Sequence, residues 1–324
     1  MSDRKRLRCG VIGTGYLGGL HASKYAALES DCVLVGVYDV DQDRAQAVAA
    51  ANGCRALQSV EQLLAEVDSV SIAVPTVHHA EVAEAAAAAG VHMLVEKPLA
   101  HNHAAGERVA AAAQAANVIV QVGHLERFNP VFEDLRRVVG KARFIECHRL
   151  SPYAGRGGDT DVVFDVMVHD LDLLAYLVGR EVVGVEAVGV PVLSDKVDIA
   201  NARLRFEGGC IANVTASRVS LKRERKLRIF QEDAYVSVDF DARSATIAAK
   251  TGDAIKSDNP MEGIAVRTSE FGDADPLGAQ IAAFVRSVRD GEPVRVGLVE
   301  GLRALALAEL IVGAMEVHAG VGEA

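Results

Sequence analysis

The 324-residue chain is poor in cysteine: Cys9, Cys32, Cys54, Cys147 and Cys210 are odd in number and share no C-x-x-C spacing. That pattern argues against a disulfide framework and a structural zinc, and a reducing, cytoplasmic compartment is expected. Concentrated positive charge is lacking too. Lys plus Arg number 34 against 44 Asp plus Glu, a formal net charge of −10, and the basic blocks are confined to Arg4-Lys5-Arg6 and the Lys222–Lys226 stretch. A nucleic-acid-binding face is therefore not expected. Although half the residues are apolar, no run approaches the ~18 apolar residues of a membrane span. The basic start followed by Cys9–Leu20 is interrupted by glycines and lacks an A-x-A site, so it reads as a first strand entering a turn and not as a signal peptide. His78, His101, His103, His148 and His318 form no set with metal-ligand spacing, and no metal is expected. No internal repeat is visible, and at roughly 150 residues per domain the length suggests about two domains.

What the chain does have is alternation in its first third. Leu7–Ile12, Cys32–Tyr38, Ser69–Val74 and Val91–Val95 are short apolar runs that end at glycine, Asp39, Pro75 and Glu96. Helical segments lie between them: Gln42–Ala51 stopping at Asn52-Gly53, a segment opened by the capping box Ser59-Val60-Glu61-Gln62, and an alanine-rich stretch capped by Thr76 and ending at Gly90. Strands alternating with helices predict a doubly wound parallel sheet, an α/β Rossmann domain. Gly13-Thr14-Gly15-Tyr16-Leu17-Gly18 follows the first strand, and Asp39 stands 21 residues past Gly18 at the end of the second. Gly13 permits the tight turn, Gly15 admits a pyrophosphate to the backbone, and Gly18 lets helix and strand pack closely. Asp39 suits the ribose hydroxyls and would repel a 2′-phosphate, so NAD is expected over NADP, with Arg44 read as a solvated helix charge. Lys97 ends the fourth strand, fixed by Pro98, where sheets of this class bind ligands.

The glycine hexapeptide, Pro75-Thr76 with His79, Glu96-Lys97-Pro98 and Asp165-x-x-x-His169 together resemble the Gfo/Idh/MocA oxidoreductases, over essentially the whole chain. Thr76 departs from the asparagine of many members, which touches one minor cofactor contact. The resemblance implies a Rossmann domain, placed at 1–122, followed by an α+β domain at 123–324 with a large, open, mostly antiparallel sheet. The C-terminal helices are free to pack back on the first domain. It implies NAD as cofactor, Glu96, Lys97 and Pro98 beside the nicotinamide, a catalytic trio of Lys97, Asp165 and His169, and a homo-oligomer, dimer or tetramer, formed through the sheet. Val122–Pro130, Asp165–Asp172, Asp198–Arg203 and Asn213–Ser220 resemble the branch of that family that oxidises the C3 hydroxyl of UDP-N-acetylglucosamine. The keto product of that branch goes to an aminotransferase in lipid A synthesis. Alternatives are an inositol or free-sugar dehydrogenase, a UDP-uronic acid 3-dehydrogenase, redox-assisted glycoside hydrolysis, and a dinucleotide sensor without turnover.

Asp165 and His169 are spaced i, i+4 and would share one face of a helix. A neutral imidazole held by a carboxylate accepts a hydroxyl proton near pH 7. His169 is taken as acid/base, Lys97 as the cation that polarises the substrate and Asp165 as the orienter; Lys97 tuned down by burial is the alternative base. His124, Arg127 and Asn129 follow the strand Val118–Val122 and are candidates for substrate contact, or for capping chain ends. A nucleotide sugar carries a pyrophosphate, for which Arg149, Arg156, Arg218 and Lys222 are candidates. Gly155-Arg156-Gly157-Gly158 reads as a loop closing over substrate. Arg203–Phe206, Cys210–Val214, Lys226–Phe230 and Tyr235–Phe240 alternate as antiparallel strands do, Ala242–Glu270 reads as a hairpin and loop, and Pro276–Asp290 and Val299–His318 read as helices.

Overall fold

In a computed structural model of the chain, the described residues are 6–153, 160–251 and 263–321, side chains of 316–321 apart. They form two compact units, Met1–Leu125 with Asp275–Leu305, and Glu126–Ala274 with Ala306–Ala324.

The first unit is built on a parallel sheet of β1 (Leu7–Ile12), β2 (Cys32–Tyr38), β3 (Arg55–Ala56), β4 (Ser69–Ile72), β5 (His92–Val95) and β6 (Val120–Val122), in the order β3-β2-β1-β4-β5-β6. Helices α1 (Tyr16–Ala27), α2 (Gln42–Asn52), α3 (Val60–Leu64), α4 (His79–Ala88) and α5 (His103–Ala116) make the crossovers. Local signals set several boundaries: the Asp41 side chain caps α2, which ends at left-handed Gly53, and Ser59 caps α3. Thr76 does not cap α4. It opens a 3₁₀ turn, Thr76–His78, and no side chain caps the helix that follows. Helix α8 (Pro276–Asp290) belongs to this unit: Leu277, Ile281, Phe284 and Val285 are buried with Cys9, Val11 and Tyr25. Residues 275–305 thus go with the first 125 residues; the expectation put the boundary at 122/123 and left the C-terminal helices free to pack back on the first domain. The sheet order reverses between β1 and β4, and ligands bind such sheets at that point, beyond the carboxyl ends of the strands.

The second unit holds an eight-stranded sheet, ordered β14-β13-β12-β11-β7-β10-β9-β8. Its strands are β7 (Ala142–Leu150), β8 (Val182–Val190), β9 (Ile199–Phe206), β10 (Ile211–Ser217), β11 (Glu224–Gln231), β12 (Ala234–Asp239), β13 (Ser244–Lys250) and β14 (Ile264–Glu270). All neighbours are antiparallel except β7 and β10. Alternation sends Ile145, Cys147, Leu204, Val214, Leu227, Ile229 and Val238 to one face. Helix α6 (Pro130–Val138), α7 (Val168–Val178) and the later turns of α9 (Leu298–Val321) cover that face with Phe132, Leu135, Leu171, Leu174 and Ile311. The opposite face carries polar cross-strand pairs, Asn201 with Thr215 at 2.8 Å and Arg203 with Asn213 at 3.0 Å. A row of half-buried aromatics, Phe144, Phe230 and Tyr235, lies on the same face.

Candidate active site

The turn between β1 and α1 has the geometry that an anion needs. Gly13 has φ +88°, and a side chain there would strike the Ala73 carbonyl at 2.7 Å; a Cβ on Gly18 would come within 1.8 Å of the Gly13 oxygen. Gly15, in contrast, faces open space, with nothing within 4 Å of a Cβ built on it, and it stands at the N-cap of α1 with no side chain capping the helix. The first amides of a 12-residue helix therefore lie behind a bare backbone, which fits a pyrophosphate. Asp39, at the end of β2, reaches this turn: its Oδ2 accepts from Thr14 N at 2.6 Å and Thr14 Oγ1 at 3.0 Å. Its Oδ1 accepts from Asp41 N at 2.9 Å and Arg44 Nη2 at 2.8 Å. Burial works against ionising Asp39, but the Arg44 bond and the amides of Asp41 and Thr14 outweigh it and hold the pKa down to about 2. Arg44 is thus a partner of Asp39, correcting its reading as a solvated charge. Tyr16 is exposed and Leu17 half-buried in the first turn of α1.

Two strands along, at the carboxyl end of β5, Glu96 is buried, Lys97 half-buried and Pro98 buried after a cis peptide bond. Glu96 accepts from His21 Nε2 at 3.0 Å and from the Lys97 amide at 3.2 Å. His79 lies behind Pro98: its Nδ1 is 2.8 Å from the Pro98 carbonyl and its Nε2 2.9 Å from that of Val74. It is 1% exposed, so it ties the ends of two strand loops together, beside Pro75 and Thr76 at the surface. His124 is buried just past the carboxyl end of β6. A cavity of about 920 Å³ lined by Leu7, Arg8, Asp68 and His92 opens at the amino ends of the strands. That is the edge opposite the glycine turn, so it plays no part in this constellation.

In the second unit, Asp165 and His169 are half-buried neighbours in sequence but do not share one α-helix. Asp165 lies in a π-helical turn, Val163–Met167, and His169 in the first turn of α7. Such turns are rare and frequent at functional sites. The substrate candidates fare differently. Arg149 is 4% exposed and donates to both oxygens of Asp170, at 3.0 and 2.8 Å, and to Glu126 at 2.9 Å. Its guanidinium is spent inside the unit, which leaves no exposed donor for the pyrophosphate role expected of it. Arg127 is buried over the Phe132 and Tyr176 rings, 5.2 and 3.8 Å from their centroids, and pairs with Asp172. Asn129 caps α6, accepting from Val131 N. Both take the packing and capping roles that compete with substrate contact. Arg218 is likewise buried, on Asp198 at 2.7 Å, whereas Lys222 is exposed beside Glu224. Arg156 lies outside the described residues.

Residues 7–124 match the family model for the Gfo/Idh/MocA oxidoreductase family with an NAD-binding Rossmann fold, and residues 137–237 match its C-terminal domain. The chain belongs to the Gfo/Idh/MocA oxidoreductases. A family member from Acidithiobacillus ferrooxidans, UDP-N-acetylglucosamine 3-dehydrogenase, is 41% identical over 303 residues, covering 93% of this chain and 95% of its own. Its solved structure superimposes with a TM-score of 0.88 over 97% of this chain and 99% of that one, at 39% identity. Myo-inositol 2-dehydrogenase from Thermotoga maritima is 28% identical, covering 93% and 94%. Levoglucosan dehydrogenase, solved with NADH and levoglucosan, shares the fold with a TM-score of 0.85 at 19% identity, covering 96% and 98%.

As a Gfo/Idh/MocA protein the chain is an oxidoreductase with an NAD-binding Rossmann domain and a mostly antiparallel second sheet. The open Gly15 backbone, the uncapped α1 terminus and the Asp39 carboxylate are the groups that fit NAD. Sequence reasoning passed over His21, Ser71 and Tyr25, three buried polar residues behind Glu96. The available signal was His21 three positions after Gly18, with Tyr25 one helical turn further, on the face of α1 that packs on the sheet.

Proposed function

We propose that this chain is an NAD-dependent dehydrogenase that oxidises the C3 hydroxyl of UDP-N-acetylglucosamine to the 3-keto sugar nucleotide. The observation that carries this reading is the 41% identity to the Acidithiobacillus enzyme across nearly the full length of both chains. The presence of Lys97, Asp165 and His169 supports it, since a dinucleotide sensor needs no acid/base groups. Bound NAD supplies the hydride acceptor for the C3 hydrogen. The residues handle the other half of the reaction. His169 takes the hydroxyl proton, Asp165 orients the imidazole, and Lys97 as a cation stabilises the negative charge that develops on the oxygen. With Arg149 and Arg218 buried on carboxylates, recognition of the diphosphate falls to other groups, Lys222 and Arg156 among the candidates. The ketone is consumed by a pyridoxal-phosphate aminotransferase, giving a 2,3-diamino sugar for lipid A in the cytoplasm. The open sheet face is the place where copies of the chain associate.

The test is NADH formation from NAD and UDP-N-acetylglucosamine with a carbonyl trap to draw off product, beside myo-inositol, free N-acetylglucosamine and the UDP-uronic acid. Reduction with the neutral UDP-sugar alone supports the proposal; silence there with activity on inositol keeps the family and overturns the substrate. Lys97→Met should cut turnover by about a thousandfold with NAD binding unchanged. Near-normal turnover in that variant would remove Lys97 from the chemistry.

A further inference from the structure

Behind Glu96 the first unit contains a chain of buried polar side chains that the mechanism above does not use. Tyr25 OH lies 2.9 Å from Ser71 Oγ, Ser71 Oγ lies 3.0 Å from His21 Nδ1, and His21 Nε2 lies 3.0 Å from Glu96 Oε1. Tyr25, Ser71 and His21 are all 0% exposed. His21 and Tyr25 stand one helical turn apart on α1, and Ser71 on β4 sits between their polar ends, so two elements build one chain that ends on the carboxylate. The hydrogens have one arrangement in which every donor is used: the Tyr25 hydroxyl donates to Ser71, Ser71 donates to Nδ1 of a neutral His21, and Nε2–H donates to Glu96. The carboxylate is also held from its other sides. Its second oxygen takes the Lys97 amide at 3.2 Å, and Gly123 lies so close that a Cβ there would fall 2.7 Å from the carboxyl carbon and both oxygens.

We propose that His21 is a positioning residue for the chemistry at Lys97: it holds the Glu96 carboxylate immobile, and Glu96, through its bond from the Lys97 amide, fixes the turn that presents the Lys97 cation to the substrate. This rests on the reading of Lys97 given above and extends it. Burial alone would raise the Glu96 pKa; the His21 bond, with the charge and amide of Lys97, outweighs it and leaves it below the ordinary value. The titratable neighbours of Glu96 are His21 from α1, Lys97 on its own turn and His79 from α4. His21 reaches the carboxylate with its ring, Nε2 lying 3.0 Å from Oε1.

The experiment measures kcat and KM separately for the parent, His21→Leu and His21→Gln, with NAD affinity determined by binding. His21→Leu should lower kcat about tenfold to a hundredfold, leaving KM for the substrate and the NAD dissociation constant in place. His21→Gln, whose amide still donates to Glu96, should restore the parent kcat. A role confined to packing would lower stability in both variants and leave kcat near the parent value, and that result overturns the proposal. A readout without any variant or bound NAD is the ring ¹⁵N spectrum of the parent at pH 8, where His21 is expected as the Nε2–H tautomer. The Nδ1–H tautomer would leave nothing to donate to Glu96 and overturns the proposal as well. If Lys97→Met retains turnover, the reading of Lys97 fails on its own account, whatever His21 does.

Discussion

The arginines of the second unit show what sequence position conceals. Arg149 is alone among polar neighbours on β7 when read along the chain, yet its partners are Glu126 and Asp170, 23 and 21 positions away. Guanidinium and carboxylates are buried together, so each depends on the other for its charge to be tolerated. Arg149→Met should therefore destabilise the protein by about 3–5 kcal/mol, read as a drop in the denaturant midpoint with an unchanged slope. A substrate ligand would behave differently, raising KM at constant stability, and that outcome would return Arg149 to the substrate site. Residue identity tells which groups carry charge; it does not tell whether the charge is spent on the protein or on a ligand. Arg127, Asn129 and Arg218 were opaque for the same reason. The place of Glu96-Lys97-Pro98 at the carboxyl end of β5 was legible, because an apolar run that stops at charged residues and a proline marks the end of a buried strand.

At the scale of elements, the turn of α1 and the end of β2 act as one device. Gly13, Gly15 and Gly18 could be read directly, since each answers a backbone demand that no other residue meets. The clamp that joins them to Asp39 could not, because it runs through the amide and hydroxyl of Thr14 across 25 residues. Asp39→Ala should remove a ribose partner and loosen the glycine turn together, weakening NAD about tenfold to a hundredfold by equilibrium binding. It also releases Arg44 to meet a 2′-phosphate, so NADP should gain relative to NAD. An unchanged preference would mean that the carboxylate does not face the ribose. The pH behaviour follows from the depressed pKa of about 2. The contribution of the ionised clamp is complete above the unfolded value near 4, and it is lost as pH falls toward 2. Cofactor affinity between pH 5 and 9 should therefore not titrate through Asp39. The π-helical turn at Asp165 is the opposite case, because an i, i+4 pair has the same spacing whether the intervening turn is α or π.

For the whole molecule, the sheet of the second unit raises the question of what its second face is for. Helices α6, α7 and α9 bury one side; the other is left to cross-strand polar pairs and to Phe144, Phe230 and Tyr235. The ring centroids of Phe230 lie 5.7 and 5.1 Å from those of Phe144 and Tyr235, a contiguous aromatic row on strands β7, β11 and β12. Large apolar side chains grouped on a rigid surface gain most when a flat partner removes them from water, and a second copy presents the same flat face about a two-fold axis. Sedimentation of the parent at micromolar concentration should give a mass of at least two chains. Phe230→Glu places a charge at the centre of the row, and across a two-fold contact it sets like charges against one another. It should shift the mass toward a single chain, while the circular dichroism and the NAD affinity of the first unit are retained. A parent that sediments as one chain would overturn the assignment of this face to self-association.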